Sequence, residues 1–396
     1  MENLLSTAEF YGKLANVDFS LPGPRLKVFS VDFNPGEFER LVNTSYLLTP
    51  VENSDGVVSH VRETPGSHKL DHSRSSNYFL LHTDGNYLKK VPEMVILHCA
   101  HPGNSDTPTI LADTKEIIDA LRDLGKLDEA KEYQFVFKNK NNIEFRRPLI
   151  EQRSSNGELL MNIAIESPQC YLEPLPRTNK TETEAAQFYD LINTLAKEKL
   201  DYIVHHWKKN DLIVFDNLRL IHGRGLKNDN LNLDISDNER HLHRIWLNRQ
   251  DIVFCLIKPD AYNNKEEIIN LIKDTGLDVI HNFSIFTPES LIRALYNEVS
   301  IEILNATLNH YLSGPSEILL VRGEQAIDKI VTISGLETDP ALCIPSTIRF
   351  RHGDHSPEDL GNGLKYYRNA IHRPKNQDEA KRDFNLFNEL INKKIP

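Results

Sequence analysis

His82 and Asp84 lie two residues apart in Leu80-Leu81-His82-Thr83-Asp84-Gly85-Asn86-Tyr87, behind the apolar run Tyr78-Phe79-Leu80-Leu81. Residues i and i+2 of a strand project to one face. The imidazole and the carboxylate therefore point the same way, with Thr83 turned from them. Two such ligands at a strand end form most of an open metal site. A third candidate stands in Asp211-Leu212-Ile213-Val214-Phe215-Asp216-Asn217, an apolar strand that leads on to His222. Two histidines and one carboxylate, with positions left open, form the facial set suited to non-haem Fe(II) oxygen chemistry. Such iron takes a chelating co-oxidant, and 2-oxoglutarate has a second carboxylate to anchor. The cluster Arg240-His241-Leu242-His243-Arg244 supplies guanidiniums, whose planar fork matches a carboxylate bidentately.

The surrounding pattern is mostly strand, with helices outside. Short helices are predicted over Thr7 to Leu14 and Phe38 to Leu47, and a strand within Val51 to Val61. Residues Arg62 to Arg74 are polar and read as a loop over the site. Met94 to Ala100 is a continuous apolar run of the kind found inside a sheet. A loop leads to Thr109-Ile110-Leu111-Ala112-Asp113, and Thr114 to Leu124 reads as a capped helix. Segment 134–166 alternates like strands. Glu182 to Leu200 is amphipathic, apolar at Ala186, Phe188, Leu191, Ile192 and Leu195. Near Gln250 the character changes to alternating strands and helices, an α/β pattern. The reading divides the chain into domains 1–249 and 250–396.

Composition excludes several function classes. The 396 residues carry a formal net charge of -11, which argues against nucleic acid or an anionic membrane as partner. No apolar run reaches the length of a membrane span. Cys99, Cys170, Cys255 and Cys343 are widely spaced and read as buried thiols of a reducing, cytoplasmic compartment. Among the other histidines, His98, His101, His205 and His206 read as structural or surface residues. Of His241 and His243, one is a candidate to face the pocket, although structural roles are favoured. Trp207 and Trp246 read as core.

In order along the chain, His82-Thr83-Asp84, Thr109-Ile110-Leu111-Ala112-Asp113, His222-Gly223-Arg224 and Arg240…Arg244-Ile245-Trp246 resemble the taurine dioxygenase and clavaminate synthase-like superfamily, over roughly residues 20–250. The resemblance implies a double-stranded β-helix (jelly roll) with flanking helices. It implies Fe(II) on His82, Asp84 and His222, and the distal carboxylate of 2-oxoglutarate on Thr109 and Arg240. Arg244 would face the substrate or the cosubstrate. The implied reaction is C–H oxidation of a small metabolite, with succinate and CO2 as coproducts. Halogenating relatives lack the carboxylate that Asp84 supplies, so hydroxylation or desaturation is favoured. Loops 62–75, 150–180 and 225–240 are the expected substrate walls.

Further on, Ile257-Lys258-Pro259-Asp260, Tyr296, Ser313-Gly314-Pro315, Glu337-Thr338-Asp339-Pro340, Pro345-Ser346-Thr347-Ile348-Arg349 and Asn369-Ala370-Ile371-His372 resemble the nucleoside diphosphate kinase family. That implies a ferredoxin-like α/β fold and homo-oligomeric assembly. It also implies a nucleotide, with Mg2+, held by Lys258, Tyr296, Thr338, Arg349 and Asn369. His372 would be the catalytic nucleophile and Asp383 its orienting partner. The chain departs from that family in three places. His372-Arg373-Pro374 replaces the usual Gly-Ser after the histidine, Thr332 or a neighbour stands where a phosphate-binding arginine is usual, and Arg351 to Lys365 is inserted. The domain is therefore an active phosphotransferase or a non-catalytic nucleotide-binding or oligomerisation module.

Overall fold

The computed structural model describes residues 4–17, 19, 23–43, 48–51, 56–62, 79–88, 90–103, 108–138, 143–153, 157–165, 170–225 and 240–392. The chain divides into two compact units, Met1–Arg249 and Gln250–Pro396.

Two sheets frame the first unit. One runs in the order Leu5–Ser6, Leu26–Asp32, Asp211–Asp216, Met94–His101, His241–Arg249, Leu48–Pro50, with Val58–Arg62 also pairing with His241–Arg249. The other runs Ile203–His205, Thr109–Asp113, Leu220–Arg224, Phe79–His82. The period-2 alternation of each strand decides what lies between them. Val95, Leu97, Ile213, Phe215 and Trp246 of the larger sheet form one apolar cluster with Leu111 and Leu220 of the smaller. Their chain neighbours Met94, Ile96, Leu212, Val214, Ile245 and Leu247 point the other way, to Phe10, Leu14, Phe38 and Val42 of the two N-terminal helices. A strand covered on both faces reads as an unbroken apolar run, which is why Met94 to Ala100 does.

The outer face of the smaller sheet is covered in the same way. Leu81, Ala112 and Ile221 meet Ile117, Ile118 and Leu121 of helix Lys115–Asp123 and Phe188, Ile192 and Leu195 of helix Glu182–Lys199. Between those helices, strands Tyr133–Lys138, Glu144–Pro148 and Cys170–Pro174 make a sheet, and Ile150–Gln152 pairs with Leu159–Met161.

Several local expectations are corrected. The second helix spans Pro35–Asn43, beginning before Phe38. Residues 44–47, 63–74 and 226–239 lie outside the described residues, and with them most of the expected site-covering loops. Thr114 does not cap its helix through its side chain. Its hydroxyl donates to the Arg219 carbonyl at 2.9 Å, and Asp113 Oδ1 accepts from the Lys115 amide at 2.9 Å instead. In Glu182–Lys199 the buried alanines are Ala185 and Ala196, whereas Ala186 is exposed. Cys170 is half-buried, unlike the other three cysteines.

In the second unit an antiparallel sheet runs Asp278–Ile285, Ser316–Gly323, Asp251–Ile257, Ile371–His372. Val253, Cys255, Ile257, Leu319 and Val321 lie against Ile268, Ile269, Ile272, Ile327 and Ile330 of helices Lys265–Lys273 and Ala326–Ser334. Phe254, of opposite parity, meets Phe387 with ring centroids 5.7 Å apart. The inserted Arg351 to Lys365 segment forms much of a small hairpin, Glu358–Gly361 with Leu364–Tyr366. No helix among the described residues is long and apolar enough to cross a membrane.

Candidate functional site

Strand register brings the first constellation together. Leu220–Arg224 lies between Phe79–His82 and Thr109–Asp113, with His222 directly opposite His82 on one side and Leu111 on the other. The His82 and His222 rings stand 4.6 Å apart by centroids. His82 Nε2 is 3.4 Å from Asp84 Oδ1, and His222 Nε2 is 3.6 Å from Asp84 Oδ2. Metal–ligand bonds of about 2.1 Å set neighbouring ligand atoms roughly 3 to 3.5 Å apart. These spacings and this N2O donor set therefore fit a divalent ion.

Asp84 is buried and held from four directions. Its amide donates to Asn217 Oδ1 at 2.9 Å, and Asn217 Nδ2 donates back to the Asp84 carbonyl at 3.0 Å and to the Pro92 carbonyl at 2.8 Å. Trp246 Nε1 donates to Asp84 Oδ2 at 2.9 Å. Arg244 Nη1 approaches Asp84 Oδ1 at 3.5 Å while its guanidinium sits 4.6 Å from the Trp246 ring. Gly85 needs its left-handed φ of 72°, and a Cβ there would fall 2.5 Å from Pro92 Cδ. Burial alone would raise the Asp84 pKa, but Arg244, His222 and His82 outweigh it and hold the carboxyl far below the usual range. Burial, reinforced by His82 and Arg244, brings His222 down to about 3 despite Asp84. A neutral imidazole beside an ionised carboxylate is the ligating state of both groups.

Both cosubstrate candidates, Thr109 and Arg240, are buried. Thr109 is buried, two residues before Leu111, and its hydroxyl accepts from Trp207 Nε1 at 3.0 Å. Arg240 is buried immediately before strand His241–Arg249 and lies close enough to Cys99 to act on its thiol, which burial nonetheless pushes up to about 12. Gly103 makes room for Arg240, since a Cβ there would meet the Arg240 amide at 2.8 Å. Neither His241 nor His243 stands with the triad. They alternate with Arg244 and Trp246, so they take the opposite face, where His243 stacks on His98 with centroids 5.3 Å apart.

Sequence reading passed over Trp246, Asn217 and Asn86. Trp246 acts on Asp84 from strand His241–Arg249 and Asn217 from the turn after Asp211–Asp216, both far from Asp84 in sequence. Asn86 is 3% exposed, and neither side-chain amide atom has a hydrogen-bond partner among the described residues.

The second unit holds its own constellation. His372 Nε2 is 3.0 Å from Asp383 Oδ2, and Arg382 donates to Asp383 Oδ1 at 2.9 and 3.0 Å. The Tyr296 ring lies edge-on to His372 at 5.3 Å. Lys258 Nζ donates to Asn369 Oδ1 at 2.7 Å, and Asn369 Nδ2 donates to the Thr338 carbonyl at 3.1 Å. Thr338 itself is exposed. Ala370 holds a φ of 64°, uncommon for a residue with a side chain, and its amide donates to Asp260 Oδ2 at 3.0 Å. Arg349 and Arg373 both donate to the Gly335 carbonyl, at 3.3 and 3.1 Å. Burial and the Arg373 charge bring Arg349 down to about 10. Two buried guanidiniums converging on one carbonyl constitute a site whose repulsion an anion would relieve. Burial lowers the His372 pKa, with Lys258 and Arg349 adding to it against Asp383.

The family model described as Taurine catabolism dioxygenase TauD, TfdA family matches residues 30–246, more than half of the chain. The model described as Nucleoside diphosphate kinase matches residues 251–390. Tyrosine isonitrile desaturase of Pseudomonas aeruginosa is 26% identical over 186 residues, 43% of this chain and 60% of that protein. The chain thus spans less than two thirds of that relative. A nucleoside diphosphate kinase of Thermobifida fusca is 30% identical over 135 residues, 33% of this chain and 92% of that protein. Among solved structures, an Fe, alpha-ketoglutarate dependent oxygenase from an isonitrile synthetic pathway aligns at 21% identity with a TM-score of 0.42, covering 56% of this chain and 75% of that one.

Proposed function

We propose, from the premise that the chain belongs to the taurine catabolism dioxygenase TauD, TfdA family and carries a nucleoside diphosphate kinase domain beyond it, that Met1–Arg249 is an Fe(II)- and 2-oxoglutarate-dependent oxygenase of a small metabolite. The observation that carries this reading is the buried convergence of His82, Asp84 and His222 within ligand distance. The facing sheets are read as a double-stranded β-helix and the second unit as ferredoxin-like.

His82, Asp84 and His222 would hold the iron, which supplies O2 activation coupled to decarboxylation of 2-oxoglutarate. Trp246 and Arg244 keep Asp84 ionised and aimed. Arg244, drawn onto Asp84, is too close to the triad to anchor the far end of a five-carbon chelator. Arg240, four residues earlier and also buried, takes that carboxylate with Thr109. Arg244 then faces the substrate. The similarity to relatives named tyrosine isonitrile desaturase makes desaturation an outcome to test beside hydroxylation.

Succinate release with Fe(II), 2-oxoglutarate and a panel of amino acids, small acids and nucleotides tests the reading. Arg240→Leu is expected to raise the KM for 2-oxoglutarate by roughly 10- to 100-fold, the worth of a charged hydrogen-bond pair. An unchanged KM would move the anchor elsewhere. Trp246→Phe keeps an aromatic ring and deletes the donor to Asp84. It is expected to weaken iron binding by about 10- to 100-fold, measured by Fe(II) titration. Unchanged affinity would show that Trp246 does not orient the ligand.

A second reading concerns Gln250–Pro396, where the His372–Asp383 hydrogen bond favours phosphoryl transfer over binding alone. Asp383 engages Nε2, leaving Nδ1 as the nucleophile. Nδ1 attacks the γ-phosphorus of a nucleoside triphosphate, the bond to the β–γ bridging oxygen breaks and the diphosphate departs. Lys258, Arg349 and Arg373 would neutralise the phosphates, with Mg2+ on the nucleotide. Arg373 brings a guanidinium to the Gly335 turn, near which the chain lacks the usual arginine.

A further inference from the structure

A second histidine constellation lies on the opposite face of His241–Arg249 from the triad. Register sets it up. His243 is directly opposite His60 of Val58–Arg62 on one side and His98 of Met94–His101 on the other. His241, two residues along, projects beside His243 by the alternation that pairs His82 with Asp84. The His60, His241 and His243 rings stand 4.8 to 5.1 Å apart by centroids. Each offers a ring nitrogen within 4.8 Å of the other two.

We propose that His60, His241 and His243 form a second metal site, for Zn2+ or a similar borderline first-row divalent ion, distinct from the iron triad.

The local geometry supports it. His60 Nδ1 and His241 Nε2 already lie 2.9 Å apart. Tetrahedral bonds of about 2.0 to 2.1 Å put nitrogens roughly 3.4 Å apart, a spacing that lies between this distance and the 4.8 Å within which all three nitrogens fall. His243 Nδ1 is engaged by His98 Nδ1 at 3.1 Å, which leaves Nε2 for the ion. An outer partner on the far ring nitrogen is the usual way a ligating imidazole is oriented. Phe33 walls the inner side, 4.8 Å from His98 and 5.8 Å from His243 by centroids. His60 is exposed, so the ion has an approach and a fourth, solvent-facing position. An all-nitrogen set without carboxylate suits zinc, copper or nickel, whereas the triad's carboxylate suits iron. The ion would pin Val58–Arg62 to the strand that bears Arg244 and Trp246.

The test is Zn2+ equilibrium dialysis of the metal-stripped full chain. The wild type is expected to bind about two equivalents, because zinc also enters the triad. The pair His60→Ala and His241→Ala replaces exposed and half-buried side chains. It should lose one equivalent and keep Fe(II)-dependent succinate formation. The pair His82→Ala and Asp84→Ala should lose the other. Zinc should raise the Tm of that second pair but not of the combined four-residue variant. A wild type binding about one equivalent that His60→Ala and His241→Ala leave intact overturns the proposal. So does a wild type binding two that this pair still binds. If His82→Ala and Asp84→Ala remove nothing while His60→Ala and His241→Ala do, the triad assignment fails and this site stands.

Discussion

Asp84→Ala is expected to reduce succinate formation to background and to abolish stoichiometric Fe(II) retention. The loss should exceed the roughly 10- to 100-fold cost of removing an outer partner such as the Trp246 donor. The carboxylate offers both oxygens to the two imidazoles, at 3.4 and 3.6 Å. It is also what the buried side of Arg244 faces. Removing it takes a ligand and leaves a guanidinium without its counter-charge. The variant should therefore also unfold more readily, on the order of 3 to 5 kcal/mol if the pair behaves as fully buried, and less because the Arg244 side chain remains 19% exposed. Bound iron, succinate release and Tm are read together. An Asp84→Ala protein that turns over at the normal rate removes Asp84 from the metal site.

The second large effect belongs to His372. Wild-type chain incubated with γ-labelled ATP and Mg2+ is expected to yield an acid-labile phosphoprotein, and His372→Asn none. The difference should be complete, because a covalent intermediate has no substitute nucleophile. Asp383 is fully buried, and its hydrogen bond to Nε2 sets the tautomer that exposes Nδ1. Asp383→Asn should slow labelling without weakening ADP binding, which separates orientation from phosphate contact. A wild type that binds ADP but takes no label would identify Gln250–Pro396 as a nucleotide-binding module.

Much of this was legible because it is local. His82 and Asp84 share a face by strand alternation, and an apolar run before them says that a strand is present. The unbroken apolar runs of Asp211–Asp216 and Met94–His101 likewise announce strands covered on both faces. Order along the chain, from His82 through Thr109 and His222 to Arg240, carried the resemblance for which the family match stands over residues 30–246.

What stayed hidden depends on partners distant in sequence. Thr114 carries the sequence signature of a helix cap, yet the Arg219 carbonyl claims its hydroxyl. Trp246 reads as core and is core, but its indole nitrogen reaches Asp84 across the layer between the sheets. Arg373 stands where the kinase family has a glycine, and its basic charge is legible in the sequence, but its partner is not. In the fold it joins Arg349 at the Gly335 carbonyl.

The sequence by itself determined the ligand types, their spacing within each strand and the two-part division near Gln250. Those follow from residue chemistry and from a side-chain period that needs no partner. Tertiary structure alone decided the rest. Strand pairing set His222 opposite His82 rather than one residue away, where every side chain would face the other side. Pairing of Val58–Arg62 with His241–Arg249 likewise set His60 beside His241 and His243, on the face away from His82, Asp84 and His222. Register couples strands far apart in the chain, so no single stretch of sequence contains that information.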